Sequence, residues 1–565
     1  MTALQFRRTA LCFCLVATPI LVSGCGGGGG SSFQAPVAVF TPPPPVVPPP
    51  LPPPPPPTPL PPTSGSGWQA GVFESSGVIK DSCEIVRTGV DSEGRAFPDK
   101  PGSLLAEKFW LRSWTNETYL WNDEVQDRDP ASIAGKLDYF ALLRTTAKTP
   151  SNRDKDNFHF SEPTEEFLRN RNSVGASGYG ARFAILSSTR PRDIRVRYTE
   201  PNSPATELVD GKPKFVRGTR IISINGVDAI NGGASQSDVD ILNAALAPPL
   251  AGTTTTFVVR DPGASADRTF TITSANIAVK PVNRTQVLAT PTGNVGYILF
   301  NTFSPFSSER EIRDAIEGFQ TQSVTDVVLD LRYNGGGLLT VASQLSFMIA
   351  GPTATAGKSF ETLRFNSRSG GFNPVTGAAN TPQPFRGTGA GFTVTSGTPL
   401  PTLNLRRVFV LSTSRTCSAS EAVINGLRGI DVEVILIGGT TCGKPFGFYP
   451  TSNCGETYYT IQFQGLNNKG FGDYADGFTP SNSTSQFGVR VAGCAVGDDL
   501  SRELGDPQEN MLAAALSFRA TGTCLNPPAA EAKSQSVSAV QTNEEGIELP
   551  RGSIFDSNRD MTPPR

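Results

Sequence analysis

The sequence predicts a multidomain α/β protein with a helical N-terminal cap, a β-rich insert and an α/β core built on a mainly parallel sheet. Three features lead to that expectation. Between Asn283 and Cys524, "DVVLDLR", "RVFVLSTS" and "VEVILIGG" are continuous apolar runs. Strands buried on both faces of a parallel sheet read this way, and helical segments lie between them, as parallel crossovers require. Between Val174 and Val282 the pattern changes to short pieces, "GYGARFAI", "IRVRYTE", "GTRIISING" and "TTTTFVVRD", separated by turn residues and interrupted by one helical stretch, "SDVDILNAAL". Ahead of these, Leu104 to Val125 sets apolar residues at helical spacing and holds three of the four tryptophans. This predicts a packed helical cap over residues 68–173, its aromatics serving as core.

The ends of the chain read differently. Arg7 and Arg8 precede an apolar stretch from Ala10 to Gly24, the layout of an export signal over residues 1–24. It ends in "LVSGC", which resembles a bacterial lipobox with Cys25 as the lipidated residue. An ordinary signal cleaved near Gly24 is the alternative. Residues 25–67 form a linker: a Gly-rich tether from Gly26 to Ser32, then Thr41 to Thr63, a proline run expected to extend as polyproline II at about 3.1 Å per residue. The expectation is an exported lipoprotein facing the periplasm from the outer membrane, held by its lipid alone. A net charge of −2 gives no sign of a nucleic-acid partner. Residues 525–565 have the composition of a disordered tail. Beyond the signal and Cys25, six cysteines remain: Cys83, Cys417, Cys442, Cys454, Cys494 and Cys524. In an oxidising compartment they allow up to three disulfides, and spacing alone leaves the connectivity open. Cys442 can bridge to Cys417 or to Cys454, and either bond would tie down the same loop.

Each of the three apolar runs ends in an unusual motif: "YNGGG" (Tyr333 to Gly337), "RTCSASE" (Arg415 to Glu421) and "TTCGKP" (Thr440 to Pro445). In an open α/β sheet, ligands bind beyond the C-terminal ends of the strands, so parallel neighbours would bring these motifs together. They supply backbone amides that glycine leaves accessible, a hydroxyl at a helix start, and an amine. Acyl transfer needs that set: a nucleophile with a nearby base and donors for the oxyanion. Three nucleophiles compete, Cys417, Ser418 and Ser420. Ser420 falls inside the first helical turn, and Cys417 is expected to be oxidised. The chain holds a single histidine, His159, so the amine of Lys444 is the nearer base. Lysine ordinarily titrates at about 10.4, and burial favours its neutral form. Gly336 or Gly337, with the residue after the nucleophile, would hold the oxyanion. Neither a metal nor another cofactor is called for. The bland reading of Ser418-x-x-Glu421 is a capping box that only starts a helix.

"LDLRYNGGG", "SASE" and "CGKP" in this order, behind a PDZ-like insert, resemble the C-terminal processing peptidases, or tail-specific proteases. "VGYILFNTFS" and "LGDPQENMLAAAL" fit as well, and the likeness runs from Leu104 to Leu516. The resemblance implies Ser418 as nucleophile, Lys444 as base, and oxyanion donors at Gly336 and Ala419. It implies a PDZ domain over residues 174–282 and a peptidase core over 283–524. "GYGARF", with Gly178, Tyr179, Gly180 and Phe183, would be the carboxylate-binding loop, taking a protein or peptide with an exposed C-terminus by strand addition. The chain departs from the pattern at Phe448, where relatives carry glutamine, at Gly429, where some carry aspartate, and at Pro445, where glycine is commoner. A distant branch of the fold uses a histidine as base, which makes His159 the alternative to Lys444. The competing functions are a non-catalytic binding protein of the same fold, holding a peptide or small apolar ligand, and an envelope adaptor working through its proline run. Oligomeric state and physiological substrate are not written in the sequence.

Overall fold

The computed structural model describes residues 67–172, 175–187, 189–232, 235–248, 250–525 and 559–560. The expected signal, Cys25, the Gly-rich tether and the proline spacer lie outside the described residues. Among those described, no helix is long and apolar enough to cross a membrane.

Helix α1 (Leu104–Thr118) starts at Ser103, whose side chain accepts from Ala106 N–H. Trp110 and Trp114 stack at 5.2 Å and pack against Phe140 and Tyr458. The aromatics are therefore core. The helix stops at Thr118, short of the expected Val125, because Leu120 N–H is taken by the carbonyl of Ile461 at 2.8 Å.

The next segment forms a sheet with a core of its own. Its strands are β1 (Ala181–Ser187), β2 (Asp193–Thr199), β3 (Arg220–Ile224), β4 (Thr254–Arg260) and β5 (Arg268–Thr273), with α2 (Gln236–Leu246) between β3 and β4. The order β5-β4-β3-β2-β1 is antiparallel throughout and leaves β1 at an edge. Phe183, Phe215, Phe257, Phe270 and Leu242 fill its interior.

The α/β core holds β6 (Val282–Leu288), β7 (Asn294–Phe300), α3 (Ser307–Thr321), β8 (Val324–Asp330), the short β9 (Gly337–Leu338), α4 (Leu339–Thr355), β10 (Arg407–Ser412), α5 (Ala419–Gly429), β11 (Glu433–Gly438), the short β12 (Phe446–Gly447), β13 (Gly493–Ala495) and α6 (Asn510–Thr521). Its main sheet runs β6-β7-β8-β10-β11-β13; only β6 is antiparallel to its neighbour. The alternation of side chains explains the continuous apolar runs. Val327, Leu329, Val408, Val410, Val434 and Leu436 face α3, α4 and α5. Val328, Phe409, Leu411, Ile435 and Ile437 face the opposite way, toward Met511 and Leu512 of α6. Most of the expected disordered tail lies outside the described residues, but Arg559–Asp560 form a strand, β14, paired with β9.

Among the described residues, three disulfides brace the fold: Cys83–Cys454, Cys417–Cys442 and Cys494–Cys524. Of the two partners considered for Cys442, Cys417 is the one it takes; Cys454 reaches back to the N-terminal segment instead. Cys417–Cys442 closes a loop with a sequence separation of 25. A cross-link of that span removes about 3–4 kcal/mol of unfolded-chain entropy. A Cys417→Ala/Cys442→Ala double variant is therefore expected to unfold at a clearly lower urea midpoint without reductant. An unchanged midpoint would show that the bond does not brace the folded state.

Candidate active site

The parallel order β8-β10-β11 brings three loops to one end of the sheet. The loop after β8 is joined to the start of α5 through Asn334, whose carbonyl accepts from Cys417 N–H and from Ser420 Oγ–H, each at 3.0 Å. The loop after β11 is joined to the same helix start by the Cys417–Cys442 bond and by Cys442 N–H donating to Thr416 O at 3.0 Å. The meeting of "YNGGG", "RTCSASE" and "TTCGKP" expected from the strand order is thus present in the geometry.

At the centre is Glu421, fully buried. Its Oε2 accepts from Ser418 N–H at 3.0 Å and from Lys444 N–H at 2.8 Å. Those two distances together bound the separation of the Ser418 and Lys444 backbone nitrogens. Oε1 accepts from Gly443 N–H at 2.9 Å and from the Thr441 hydroxyl at 2.5 Å. Burial pushes the carboxyl above its usual range, and these donors oppose the rise without cancelling it. Gly443 has φ +85°, and a Cβ there would fall 2.2 Å from the Ala475 carbonyl oxygen, so the turn into Lys444 demands glycine.

Ser418 precedes α5 with φ 61°, ψ −111°, a strained conformation for a residue other than glycine. Ser418 and Glu421 are laid out as a capping box, but only the glutamate half is a hydrogen bond. Ser418 Oγ is buried without a hydrogen-bond partner, so the hydroxyl does not serve as a helix cap. Ala419 opens the helix, where backbone N–H groups point outward with no partner one turn back. Lys444 is fully buried, and its Nζ lies 4.5 Å from the centre of the Phe158 ring and 4.6 Å from that of Phe448. Phe448 therefore meets the amine with a π face. Ser420 points to Asn334, and Cys417 is locked in its disulfide.

The two glycines differ. Gly336 N–H donates to Asn334 Oδ1 at 2.9 Å, so stabilising an oxyanion from there requires giving up that bond. Gly337 has φ +130°, and a Cβ would lie 2.3 Å from Ser304 N. His159 is held elsewhere. Its Nε2 faces the Phe140 carbonyl at 2.8 Å, which fixes it as donor, and Nδ1 then accepts from the Thr460 hydroxyl at 3.0 Å. Burial lowers its pKa, favouring the neutral ring. In the β-rich unit, the Tyr179 hydroxyl bonds Thr255 Oγ1 at 2.7 Å and Phe183 packs on Phe215, so both side chains are interior. Gly178 pairs with Ala275, and Gly180 packs so closely on Ser203 that no side chain fits.

Three participants escaped the sequence reading. Glu421 was visible only as half of a capping box. Thr441 carried no signal beyond lying in the motif. Arg217, from the β-rich unit, reaches the loop after β8: its guanidinium donates to the Tyr333 hydroxyl at 2.6 Å and to Asp498 at 2.5 Å. Arg332 donates to the same Asp498 oxygen at 2.8 Å and pairs with Asp330 and Glu509. Burial alone would raise the Asp498 carboxyl; Arg217 and Arg332 outweigh it and hold it well below the carboxylate range. One group of metal-ligand type, Cys417, Glu421 and Cys442, occurs among the described residues. Its sulfurs are joined to each other and its carboxylate is occupied by donors, so it offers no thiolate.

Residues 294–451, which hold Gly336, Gly337, Ser418 and Lys444, match the model of Peptidase family S41. A carboxyl-terminal-processing protease of Picosynechococcus sp. is 33% identical over 148 residues, 26% of this chain and 32% of that protein. The match thus spans about a third of that relative's length. Among solved structures, an S41 protease from Bacteroides fragilis NCTC 9343 superposes with a TM-score of 0.54 at 22% identity, covering 73% of this chain and 97% of that one, which shows a shared fold. The photosystem II D1 C-terminal processing protease aligns at a TM-score of 0.38 and 18% identity, over 68% and 92% of the two chains. The segment in which the three strand-end loops converge is thus the part of the chain that matches the model of peptidase family S41.

Proposed function

We propose that this chain is a serine endopeptidase with a Ser418–Lys444 dyad, and that its β-rich unit is a PDZ domain delivering protein or peptide C-termini to it. The observation that carries the dyad is the Glu421 carboxylate, which gathers the backbones of both residues on one oxygen while the Ser418 hydroxyl is left without a partner. A serine used only as a cap would have its hydroxyl bonded.

In this reading, neutral Lys444 takes the proton of Ser418 Oγ as the oxygen attacks the scissile carbonyl carbon. The oxyanion is stabilised by Ala419 N–H and by the Gly336–Gly337 backbone. The tetrahedral intermediate collapses, the C–N bond breaks, and Lys444 returns its proton to the leaving amine. Water then repeats the sequence on the acyl-enzyme and releases the acid. Apolar walls from Phe158 and Phe448 keep the amine away from bulk water, while their π faces favour its charged form. Substrate recognition would use the free edge of β1, where an extended C-terminal segment adds as a further strand. Arg217 would then connect that unit to the oxyanion loop, since Tyr333 directly precedes Asn334. Export and a lipid anchor at Cys25, with a site facing the periplasm, complete the proposal from the sequence.

Turnover of an unstructured peptide with an apolar C-terminus tests the dyad. Ser418→Ala and Lys444→Ala are each expected to lower kcat by about a thousandfold or more, and His159→Ala to leave most of it. Equal turnover by all these variants would sink the mechanism. Arg217→Met tests the coupling: kcat/KM is expected to fall roughly tenfold with the urea midpoint nearly kept, because Arg332 still pairs Asp498. Loss of the folded state without a specific kinetic effect would mark Arg217 as purely structural.

A further inference from the structure

Strand β9 has two backbone edges beside the candidate oxyanion donors. One is bridged by Phe303. The other pairs in parallel with β14, Gly337 with Arg559 and Leu338 with Asp560. β14 also comes close to β12, Phe446–Gly447, two residues beyond Lys444. A segment from the far end of the sequence thus lies close to both the loop carrying Gly336–Gly337 and the loop carrying Lys444. In the peptidase reading, a peptide that brings a carbonyl to Ser418 would enter beside those same two loops. Pairing of backbone to backbone, as β14 does with β9, is a recognition mode that accepts extended chains with little regard to sequence.

We propose that Arg559–Asp560 is a tethered ligand of the substrate slot, so that the chain's own segment competes with incoming peptides; this rests on the peptidase reading above. The tether is long enough. Residues 526–558 begin just after Cys524, which is anchored to Cys494, and at roughly 3.3–3.6 Å per residue they can cross any distance within a chain of this size. A covalently linked ligand whose linker can span the distance works at an effective concentration of about a millimolar. Pairing weak enough to be displaced is therefore still occupied most of the time. Substrates that bind in several places, at the β1 edge as well as in the slot, would displace it more readily than short peptides.

The full chain carrying Arg559→Pro and Asp560→Pro tests this, because proline removes the backbone donors of β14 while leaving every residue of the site in place. With a short unstructured peptide as substrate, KM is expected to fall severalfold as a competitor held at about millimolar effective concentration is removed, with kcat unchanged. An unchanged KM overturns the proposal while the peptidase reading stands. Hydrogen exchange of the segment around Gly337–Leu338 is the independent readout. If neither protein turns over peptide, the peptidase reading fails, and faster exchange in the proline variant still supports the tethered ligand. Equal exchange in that case overturns it as well.

Discussion

A carboxylate with no access to water holds the site together. Glu421 accepts from Ser418 N–H, Gly443 N–H, Lys444 N–H and the Thr441 hydroxyl. Burying such a group costs several kcal/mol, and hydrogen bonds to a charged acceptor return about 1.5–3 kcal/mol each. The balance favours burial only if nearly all the donors are present together. That makes the arrangement close to all-or-none: the start of α5 and the turn into Lys444 are fixed by the same two oxygens, and moving either loop leaves donors or acceptors stranded. The Cys417–Cys442 bond reinforces the same junction covalently.

The rest of the architecture serves that junction. Parallel strands deliver three loops to one end of the sheet, and apolar packing on both faces fixes the strands relative to each other. A second buried polar system sits behind the loop after β8, where Arg217 and Arg332 converge on Asp498. Its charges are compensated within the cluster, where Arg217 of the β-rich unit and Arg332 share Asp498 Oδ1. The β-rich unit is in this way connected to the loop beside Ser418 by a few hydrogen bonds.

What could be read from the sequence followed from local physics. Continuous apolar runs announced two-face burial, and the motifs at their ends announced a shared crevice. Ser418 and Lys444 were singled out by residue type, by position and by resemblance to a family. The role of Glu421 was not legible, because three of its four donors come from a loop some twenty residues downstream and the local pattern already had a sufficient explanation as a helix cap. Arg217 could not be matched to Tyr333 and Asp498, nor Cys83 to Cys454, across sequence separations of 116, 281 and 371. Helix α1 was drawn too long because the carbonyl of Ile461, which captures Leu120, is invisible in a helical pattern. Pairing of Arg559–Asp560 with β9 had no sequence signal.

Labelling of the intact protein by a serine-directed phosphonate tests the central claim most directly. The account predicts one covalent adduct per chain, located on Ser418, with a labelling rate that collapses in both Lys444→Ala and Glu421→Gln. Labelling at an undiminished rate in those variants, or on a residue other than Ser418, would contradict it.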